Sequence, residues 1–286
     1  MTAPAIGPRF VDLHAHTTAS DGTATPTTLV ERAKAAGLAA IAVTDHDTVG
    51  GAAEARETGA RVGIEVVVGT ELSATEGADE LHILALHIDD VAVIERALAR
   101  FRDGRVSRAE AMVERLAALG APVTLADVLA EAAGGAVGRP HVARALVARK
   151  AARDIRDAFD RFLGAGRPAY VPKEQLAIAD AVRIAHEAGA IAVAAHLGGD
   201  GRRDYVERLR RLGLDGLEVR HPGHSSEDIL RLGALADHFG MVKSGGSDWH
   251  GATEGTRVLG AMRVPGEWLD QQRERAEAIR RGRAGA

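Results

Sequence analysis

The chain has 286 residues, of which 46% are hydrophobic, and this composition supports a buried core and excludes a disordered protein. Its 36 Lys and Arg against 40 Asp and Glu give a formal net charge of −4, so no global positive field is present to gather long nucleic acid. Cysteine is absent, which excludes disulfides, thiolate metal sites and a thiol nucleophile. A metal ion would therefore need imidazole and carboxylate ligands.

The N-terminal segment MTAPAIGPRFVDLHAH has no basic stretch followed by an apolar run, and the sequence has no run of about 18 apolar residues. The aromatic fraction of 3% argues against a platform that stacks the bases of a long single strand. We therefore expect a cytoplasmic protein with neither a membrane nor a long nucleic acid as partner.

Apolar runs typical of strands alternate with segments of helical period, and in the first third of the chain they lie at Phe10–Leu13, Ala39–Thr44, Val62–Gly69 and Leu81–Leu86. The rhythm returns later with runs at Ala190–Ala195, Gly216–Val219 and Met241–Lys243, separated by helical stretches near 177–188, 201–212 and 225–239. About seven strands alternating with helices predict an α/β fold of parallel βαβ units, either a distorted barrel or an open wound sheet. We favour the barrel.

The strand rhythm stops between residues 91 and 173. This segment has the pattern of several helices, which we expect at 91–120, 124–134, 140–150 and 154–164. The sequence therefore predicts a barrel formed by residues 1–90 and 174–286, with residues 91–173 as a helical insertion. The Arg-rich end of the chain is predicted to be a solvated terminal helix.

Histidines and acids lie at the ends of the strand-like runs, where parallel α/β folds place their active sites. His14 and His16 are two residues apart, so the alternation of a strand points both imidazoles to one face. One histidine on a strand is more often a packed core residue than a ligand. The joint pattern instead predicts a metal centre. Its nine members are His14, His16, Asp21, His46, Glu71, His82, His196, Asp248 and His250.

The motifs that carry these residues, VDLHAHTTASDG, VTDHDT, VGTELS, ELHILAL, AAHLGG and SGGSDWHG, occur in an order that resembles the PHP (polymerase and histidinol phosphatase) family. The resemblance runs from about Phe10 to Gly251. It implies a distorted (β/α)7 barrel whose C-terminal mouth holds two or three divalent metal ions. One departure is Leu197, where the family often has proline after the histidine.

The resemblance also implies how the ligands are divided. The first metal would be held by His14, His16, Glu71 and Asp248. The second would be held by Glu71, His82 and His196, with Glu71 bridging, and the third by Asp21, His46 and His250. Glu71 and Asp248 are thereby expected to be essential for catalysis.

Charge counting favours an anionic substrate. Three divalent ions would bring +6 and the three carboxylates −3, which leaves about +3 in the mouth of the barrel. A phosphate group balances this charge and a neutral amide does not, so we expect phosphoester hydrolysis by a metal-bridging hydroxide. Mn²⁺, Fe²⁺ and Zn²⁺ all suit these ligands.

The insertion contains GRPHVARAL, in which Arg139 and His141 stand at a predicted helix start and are typical of a pocket for a second phosphate. Ordinary capping of the helix is the alternative. After a later strand, His221 and His224 are candidates for substrate binding, and His224 also for proton donation, although local loop structure explains them equally well.

The remaining candidates are weaker. Lys173 and Lys243 are expected to be solvated unless they contact the substrate. His87, His186 and His238 are expected to be packing or surface residues.

The sequence thus predicts a metal-dependent phosphoesterase that acts on small nucleotides, either 3′,5′-nucleoside bisphosphates or the 5′ ends of short oligoribonucleotides. The predicted insertion favours this substrate class because it resembles the cap of that branch of the family. Histidinol-phosphate phosphatase is the closest alternative, and a non-catalytic, metal-stabilised accessory module is a second one.

Overall fold

The fold was analysed in a computed structural model, which describes residues 9–76, 79–134, 137–172 and 176–284. Lys173 lies outside the described residues. The strands of this part of the chain are β1 (Phe10–Asp12), β2 (Ala40–Val43), β3 (Glu65–Glu76), β4 (Asp79–Leu86), β5 (Leu176–Ala177), β6 (Ile191–Ala194), β7 (Gly216–Arg220), β8 (Val242–Gly245) and β9 (Val264–Pro265).

These strands form one sheet in the order β8-β7-β6-β4-β3-β2-β1-β9, with β5 paired to β3. The sheet curves until β1 and β8 lie side by side. Leu13 N, just after β1, donates to Gly245 O of β8 over 3.0 Å, and Ala15 pairs with Trp249. The turn after β8 needs glycine at this junction, since a Cβ on Gly246 would lie 2.4 Å from the backbone nitrogen of His14. The predicted distorted barrel is confirmed.

The expectation of parallel strands throughout is wrong for β4, which runs antiparallel to both β3 and β6. The cause is the short connection, because β3 ends at Glu76 and β4 begins at Asp79, whereas parallel neighbours need a crossover of about a dozen residues or more. The predicted strand at 62–69 also starts too early. Val62 is the last residue of a helix, because Gly63 follows it with a positive φ of 74° and ends the helix.

The helices of the described residues are α1 (Pro26–Ala35), α2 (Ala52–Val62), α3 (Val91–Ala118), α4 (Leu125–Ala132), α5 (Arg139–Ala148), α6 (Ile155–Ala158), α7 (Ile178–Glu187), α8 (Arg203–Arg211), α9 (Ser226–Phe239) and α10 (Gly266–Ala284). A π-helical turn at Phe159–Leu163 follows α6. The predicted helices between residues 91 and 173 thus correspond to α3 through this turn. Thr124 and Asp127 form a capping box that starts α4.

The helical segment has a hydrophobic core separate from that of the barrel. Met112, Leu116, Val128 and Leu146 belong to this core, and all of its buried members lie between residues 109 and 169. The first turns of α3 instead pack on the barrel through Ile94. The division into a barrel and a helical insertion at 91–173 stays a prediction.

The sequence led us to expect a solvated terminal helix, but α10 is only partly exposed. One face packs on the barrel, where Leu269 and Gln272 are buried and Arg275 contacts the buried carboxylate of Asp215 at 2.8 Å. The many arginines of this segment made it look polar on all sides, and its buried face was therefore missed. Among the described helices, none combines the length and apolar character required to span a membrane.

His87 lies in the turn after β4, at the end of the barrel where that strand finishes. Burial lowers its pKa to about 4, although its contact with the Gln272 side chain at 3.3 Å raises it. An unfolded chain would protonate this histidine near pH 6.5. Neutral His87 therefore contributes stability above pH 6.5, and this contribution is lost as the pH falls toward 4.

We expect the chelator-treated protein to lose about 1 to 2 kcal/mol of unfolding free energy between pH 7 and pH 5 through this one residue. Urea unfolding at both pH values measures the loss. The variant His87→Asn should show a smaller pH dependence, because asparagine does not titrate and tolerates the positive φ of 64° at this position. Equal pH dependence in the two proteins would contradict the prediction.

Candidate metal centre

The nine predicted ligands all lie at the end of the barrel where β1 finishes, which we call the mouth. Because β4 is antiparallel to its neighbours, its first half reaches the mouth, and this places His82 there. Glu71 is not at a strand end as predicted, since β3 continues to Glu76. It still reaches the mouth because its backbone pairs with His46, which follows β2.

His14, His16 and Asp248 form the first group of possible ligands. The Nε2 atoms of His14 and His16 lie 3.1 Å apart. Asp248 Oδ1 lies 3.5 Å from His14 Nε2 and 3.3 Å from His16 Nε2. Glu71 Oε2 lies 3.3 Å and 3.2 Å from the same two atoms. Four donor atoms from four side chains thus surround one point.

These separations fit a metal ion. Ligand atoms about 2.0 to 2.1 Å from a tetrahedral metal are roughly 3.3 Å from one another, which is the spacing observed here. Two imidazole nitrogens this close have at most one hydrogen to share, whereas a cation satisfies both lone pairs. The buried Nδ1 of His16 also has no hydrogen-bond partner among the described residues.

Glu71 is central to the whole arrangement. Its Oε1 contacts His82 Nδ1 at 2.8 Å and His196 Nε2 at 2.9 Å. Its Oε2 faces the first group and also lies 3.3 Å from His46 Nδ1. One carboxylate with both oxygens facing imidazoles on opposite sides has the geometry of a bridging ligand.

Asp21, His46 and His250 come together at the outer side of the mouth, and we call them the loop cluster. Asp21 Oδ1 lies 3.3 Å from His250 Nε2, and Asp21 Oδ2 lies 3.9 Å from His46 Nε2. His16 also approaches this cluster, with its Nδ1 3.7 Å from Asp21. The grouping implied by the family resemblance is thus geometrically possible for all nine residues.

The carboxylates of the centre are ionised. Burial raises the pKa of Glu71, but the surrounding histidines hold it well below its usual range. Burial likewise raises the pKa of Asp248, but His14, His16 and His221 together hold it well below its usual range. Burial lowers the pKa of His46 to about 3, so this ring is neutral. Charged carboxylates and neutral imidazoles are the forms that bind metal. A metal ion must therefore displace a proton from His16, whose pKa is raised to about 9 although burial lowers it, since hydrogen bonds to Asp248 and Glu71 raise it.

Glu218, which the sequence analysis missed, is a fully buried carboxylate beneath the centre. Its Oε1 lies 3.0 Å from His14 Nδ1, and its Oε2 accepts a hydrogen bond of 2.8 Å from the backbone N–H of His196. Burial lowers the pKa of His14, but the charge of Glu218 raises it well above its usual value. The signal was present, because an acid between Leu217 and Val219 interrupts an apolar strand that ends at the mouth.

The contact of Glu218 with Nδ1 of His14 leaves Nε2 as the ligand atom, which is the common arrangement beneath metal-binding histidines. The variant Glu218→Gln is therefore expected to weaken metal affinity by about 10- to 100-fold. Metal titration of the chelator-stripped protein measures this loss. The control is Glu54→Gln, an exposed glutamate that accepts hydrogen bonds from Thr27. Equal affinity in both variants would contradict the prediction.

Arg139 lies at the start of α5 beside the loop cluster, as the sequence predicted. Its guanidinium lies over the rings of Tyr170 and Phe159, 5.6 Å and 5.9 Å from their centres. Arg105 and Arg108 of α3 line the same cavity, which has a volume of about 160 Å³. Sequence reasoning missed both, because arginines three residues apart on a mixed-charge helix are usually solvated.

The cavity is shared with the metal centre. Besides the three arginines, its wall contains the predicted ligands Asp21, His46 and His82. The mouth therefore joins a group of imidazoles and carboxylates to a group of guanidinium ions.

His141 is buried, and both of its ring nitrogens have partners. The backbone N–H of Gly138 donates to Nδ1 over 2.9 Å, so Nε2 carries the hydrogen and donates to Ser20 O over 3.1 Å. Helix capping, the alternative weighed for this residue, is thus present. Substrate binding by His141 stays a prediction.

His221 and His224 differ in their surroundings. His221 lies with Nε2 3.4 Å from Asp248 Oδ2, so it reaches the outer oxygen of a predicted ligand. His224 receives a hydrogen bond from Gly198 N and donates one to Val219 O. Lys243 pairs with Asp237 at 2.7 Å. The roles predicted for His221 and His224 stay predictions.

Comparison with known proteins matches residues 12–165 to the model of the PHP domain. A 3′,5′-nucleoside bisphosphate phosphatase of Chromobacterium violaceum is 37% identical over 265 residues, covering 87% of this chain and 90% of its own. The chain belongs to the PHP family. The 5′-3′ exoribonuclease Rnm of Escherichia coli is 37% identical over 250 residues, 84% of each chain.

The fold agrees with this membership. A solved structure from Bifidobacterium adolescentis, described as a metal-dependent phosphoesterase, has a TM-score of 0.84 and 35% identity over 95% of this chain and 96% of its own. The protein is a metal-dependent phosphoesterase, as the sequence predicted. The alternatives of a histidinol-phosphate phosphatase and of a non-catalytic accessory module are not favoured by these relatives.

Proposed function

We propose that this PHP protein removes phosphate from small nucleotides that carry a second phosphate, such as 3′,5′-nucleoside bisphosphates. The observation that supports the proposal is the arginine-lined cavity beside the loop cluster. Its volume of about 160 Å³ is below the roughly 300 Å³ at which pockets for small organic molecules begin, so it suits a phosphate group and not a nucleoside.

A larger cavity of about 760 Å³ lies on the other side of His82. His196, Leu197, Tyr205 and Arg202 are among the residues that line it. This volume is within the range for small organic ligands, and an aromatic ring beside apolar and cationic side chains suits a nucleoside. Because His82 lines both cavities, a ribose beside this histidine would place its base in the larger cavity and its second phosphate in the smaller one.

We propose two or three divalent ions, Mn²⁺, Fe²⁺ or Zn²⁺, held by the nine residues named above. Bound ions of this kind acidify water and neutralise the oxygens of a phosphate. Glu71 joins the ligand groups, and Asp248 completes the group of His14 and His16. His221 orients Asp248 through its outer oxygen. His224 is assigned as the proton donor for the leaving group, for which its Nε2 would first leave Gly198 N–H and take up a proton from water.

Glu218 alters the charge count made from the sequence. With this fourth carboxylate, the net charge of three bound ions and the surrounding carboxylates falls from about +3 to about +2. In the cavity, Arg108 and Arg139 add about +2 and Glu80 about −1, so about +3 remains in the mouth. The charge of Arg105 is not counted because its ion pair with Asp47 balances it. The preference for a dianionic phosphate over a neutral amide is thereby maintained.

A substrate panel tests the proposal. Chelator-stripped protein is reconstituted with Mn²⁺, Fe²⁺ or Zn²⁺ in turn, and phosphate release is measured from a 3′,5′-nucleoside bisphosphate, a 5′-nucleoside monophosphate and histidinol phosphate. We expect kcat/KM to be highest for the bisphosphate. The highest value for histidinol phosphate, or no phosphate release with any metal, would overturn the proposal.

A short oligoribonucleotide with a 5′ phosphate belongs in the same panel, because one relative is named as an exoribonuclease. The larger cavity would accept its first nucleoside in the same way. Faster release of mononucleotides from this substrate than of phosphate from the bisphosphate would assign trimming of RNA ends as the principal activity. The predicted location in the cytoplasm stays a proposal.

A further inference from the structure

From the contacts between the helical segment and the barrel loops, we infer that Arg105 and His141 are positioning residues for the loop cluster and control its metal occupancy. This inference rests on the metal centre of the proposed function. Neither residue is predicted to ligate the metal. Each instead holds the residue next to one of the ligands Asp21 and His46.

The first tie runs from α5 to the loop that carries Asp21. His141 Nε2 donates a hydrogen bond of 3.1 Å to the backbone oxygen of Ser20. Its ring orientation is set by Gly138 N–H on the opposite nitrogen. His141 is 1% exposed and Ser20 is 2% exposed, so water does not replace this bond without opening the contact. The position of Asp21 therefore depends on α5.

The second tie runs from α3 to the loop that carries His46. The guanidinium of Arg105 forms a buried ion pair with Asp47 and donates to Val137 O over 3.2 Å. Asp47 Oδ1 accepts a hydrogen bond of 2.8 Å from Ser73 N.

Asp47 has a positive φ of 49°, a conformation that is costly for a residue other than glycine. The carboxylate contacts with Arg105 and Ser73 compensate for this cost. They hold the backbone beside His46 in place.

The first group of ligands has a different support. His14 is held by Glu218 of β7, and Asp248 is contacted by His221 after the same strand. All of these residues belong to the barrel. The two hydrogen-bonded ties from the helical segment, as seen in the described residues, thus run to the loops of the loop cluster. Displacement of α3 or α5 is therefore expected to release a metal from the loop cluster first.

The test is metal binding without substrate. Chelator-stripped protein is titrated with Mn²⁺, and free Mn²⁺ is counted by its electron paramagnetic resonance signal. In Arg105→Met and His141→Phe we expect the affinity of one metal equivalent to fall by about 10- to 100-fold, the usual loss when a supporting contact of a ligand is removed. The remaining equivalents should keep the affinity of the unaltered protein within about twofold.

Matched variants separate positioning from general damage. Arg96→Met removes an exposed arginine of the same helix and should leave all equivalents unchanged. His141→Gln retains an N–H donor in the place of Nε2 and should recover most of the lost affinity. If the two principal variants do not fold, as judged by circular dichroism, Arg105→Gln and His141→Leu replace them in the titration, and the same loss is expected.

Unchanged binding in the folded variants, or equal weakening of every equivalent, would overturn the inference. An unaltered protein that binds neither Mn²⁺ nor Zn²⁺ would instead overturn the metal centre itself. Failure of the proposed nucleotide specificity is separate from both results, because the titration contains no phosphate ester.

Discussion

The variant Glu71→Gln is expected to bind less metal and to lose at least about 10³-fold in kcat. The carboxylate contacts five histidines of the centre, which are His14, His16, His46, His82 and His196. An amide has no charge and offers only one acceptor oxygen, so it cannot bridge two ligand groups. Bound metal supplies several kcal/mol of charge stabilisation in phosphoryl chemistry, which corresponds to a loss of this size.

Elemental analysis and phosphate release on the same preparation measure the two effects. Glu76→Gln is the matched control, because Glu76 is the last residue of the same strand and pairs with Arg208 at 3.0 Å, away from the histidines. It should retain its metal and its activity. A Glu71→Gln protein with full metal content and full kcat would refute the bridging role.

The variant Arg139→Ala is expected to raise KM for a 3′,5′-nucleoside bisphosphate by roughly 10- to 150-fold. This is the cost of about 1.5 to 3 kcal/mol for the loss of a charged hydrogen bond. KM for a simple aryl phosphate should change little, because this substrate has no second phosphate for the arginine-lined cavity.

Steady-state kinetics on both substrates separate the two possible roles of Arg139. Equal losses would mean that it acts on the reacting phosphate or only supports α5. Arg149→Ala is the control, because Arg149 follows the same helix and pairs with Asp127, outside the cavity. Its kinetics should be those of the unaltered protein.

The sequence by itself determined the approximate positions of seven strands and the set of candidate ligands, but not the two-residue strands β5 and β9. Short apolar runs that end in histidine or an acid indicate where a barrel strand reaches the mouth, because the alternation of side chains along a strand is a local property. His14 and His16 illustrate this, since a spacing of two residues is sufficient to place both rings on one face. The HxH and DxH motifs can therefore be recognised in the sequence from their spacing alone.

Only the tertiary structure decided which residues support and surround these ligands. Glu218 contacts His14 across 204 positions of the chain, and His141 contacts Ser20 across 121 positions. No local pattern records such pairs, because each forms only when distant elements pack together. The direction of β4 was decided in the same way, since hydrogen bonds to β3 and β6 fix it. A periodic pattern gives the face of a strand but not its direction. The arginines of α3 likewise line a common cavity only after the helix has packed on the barrel.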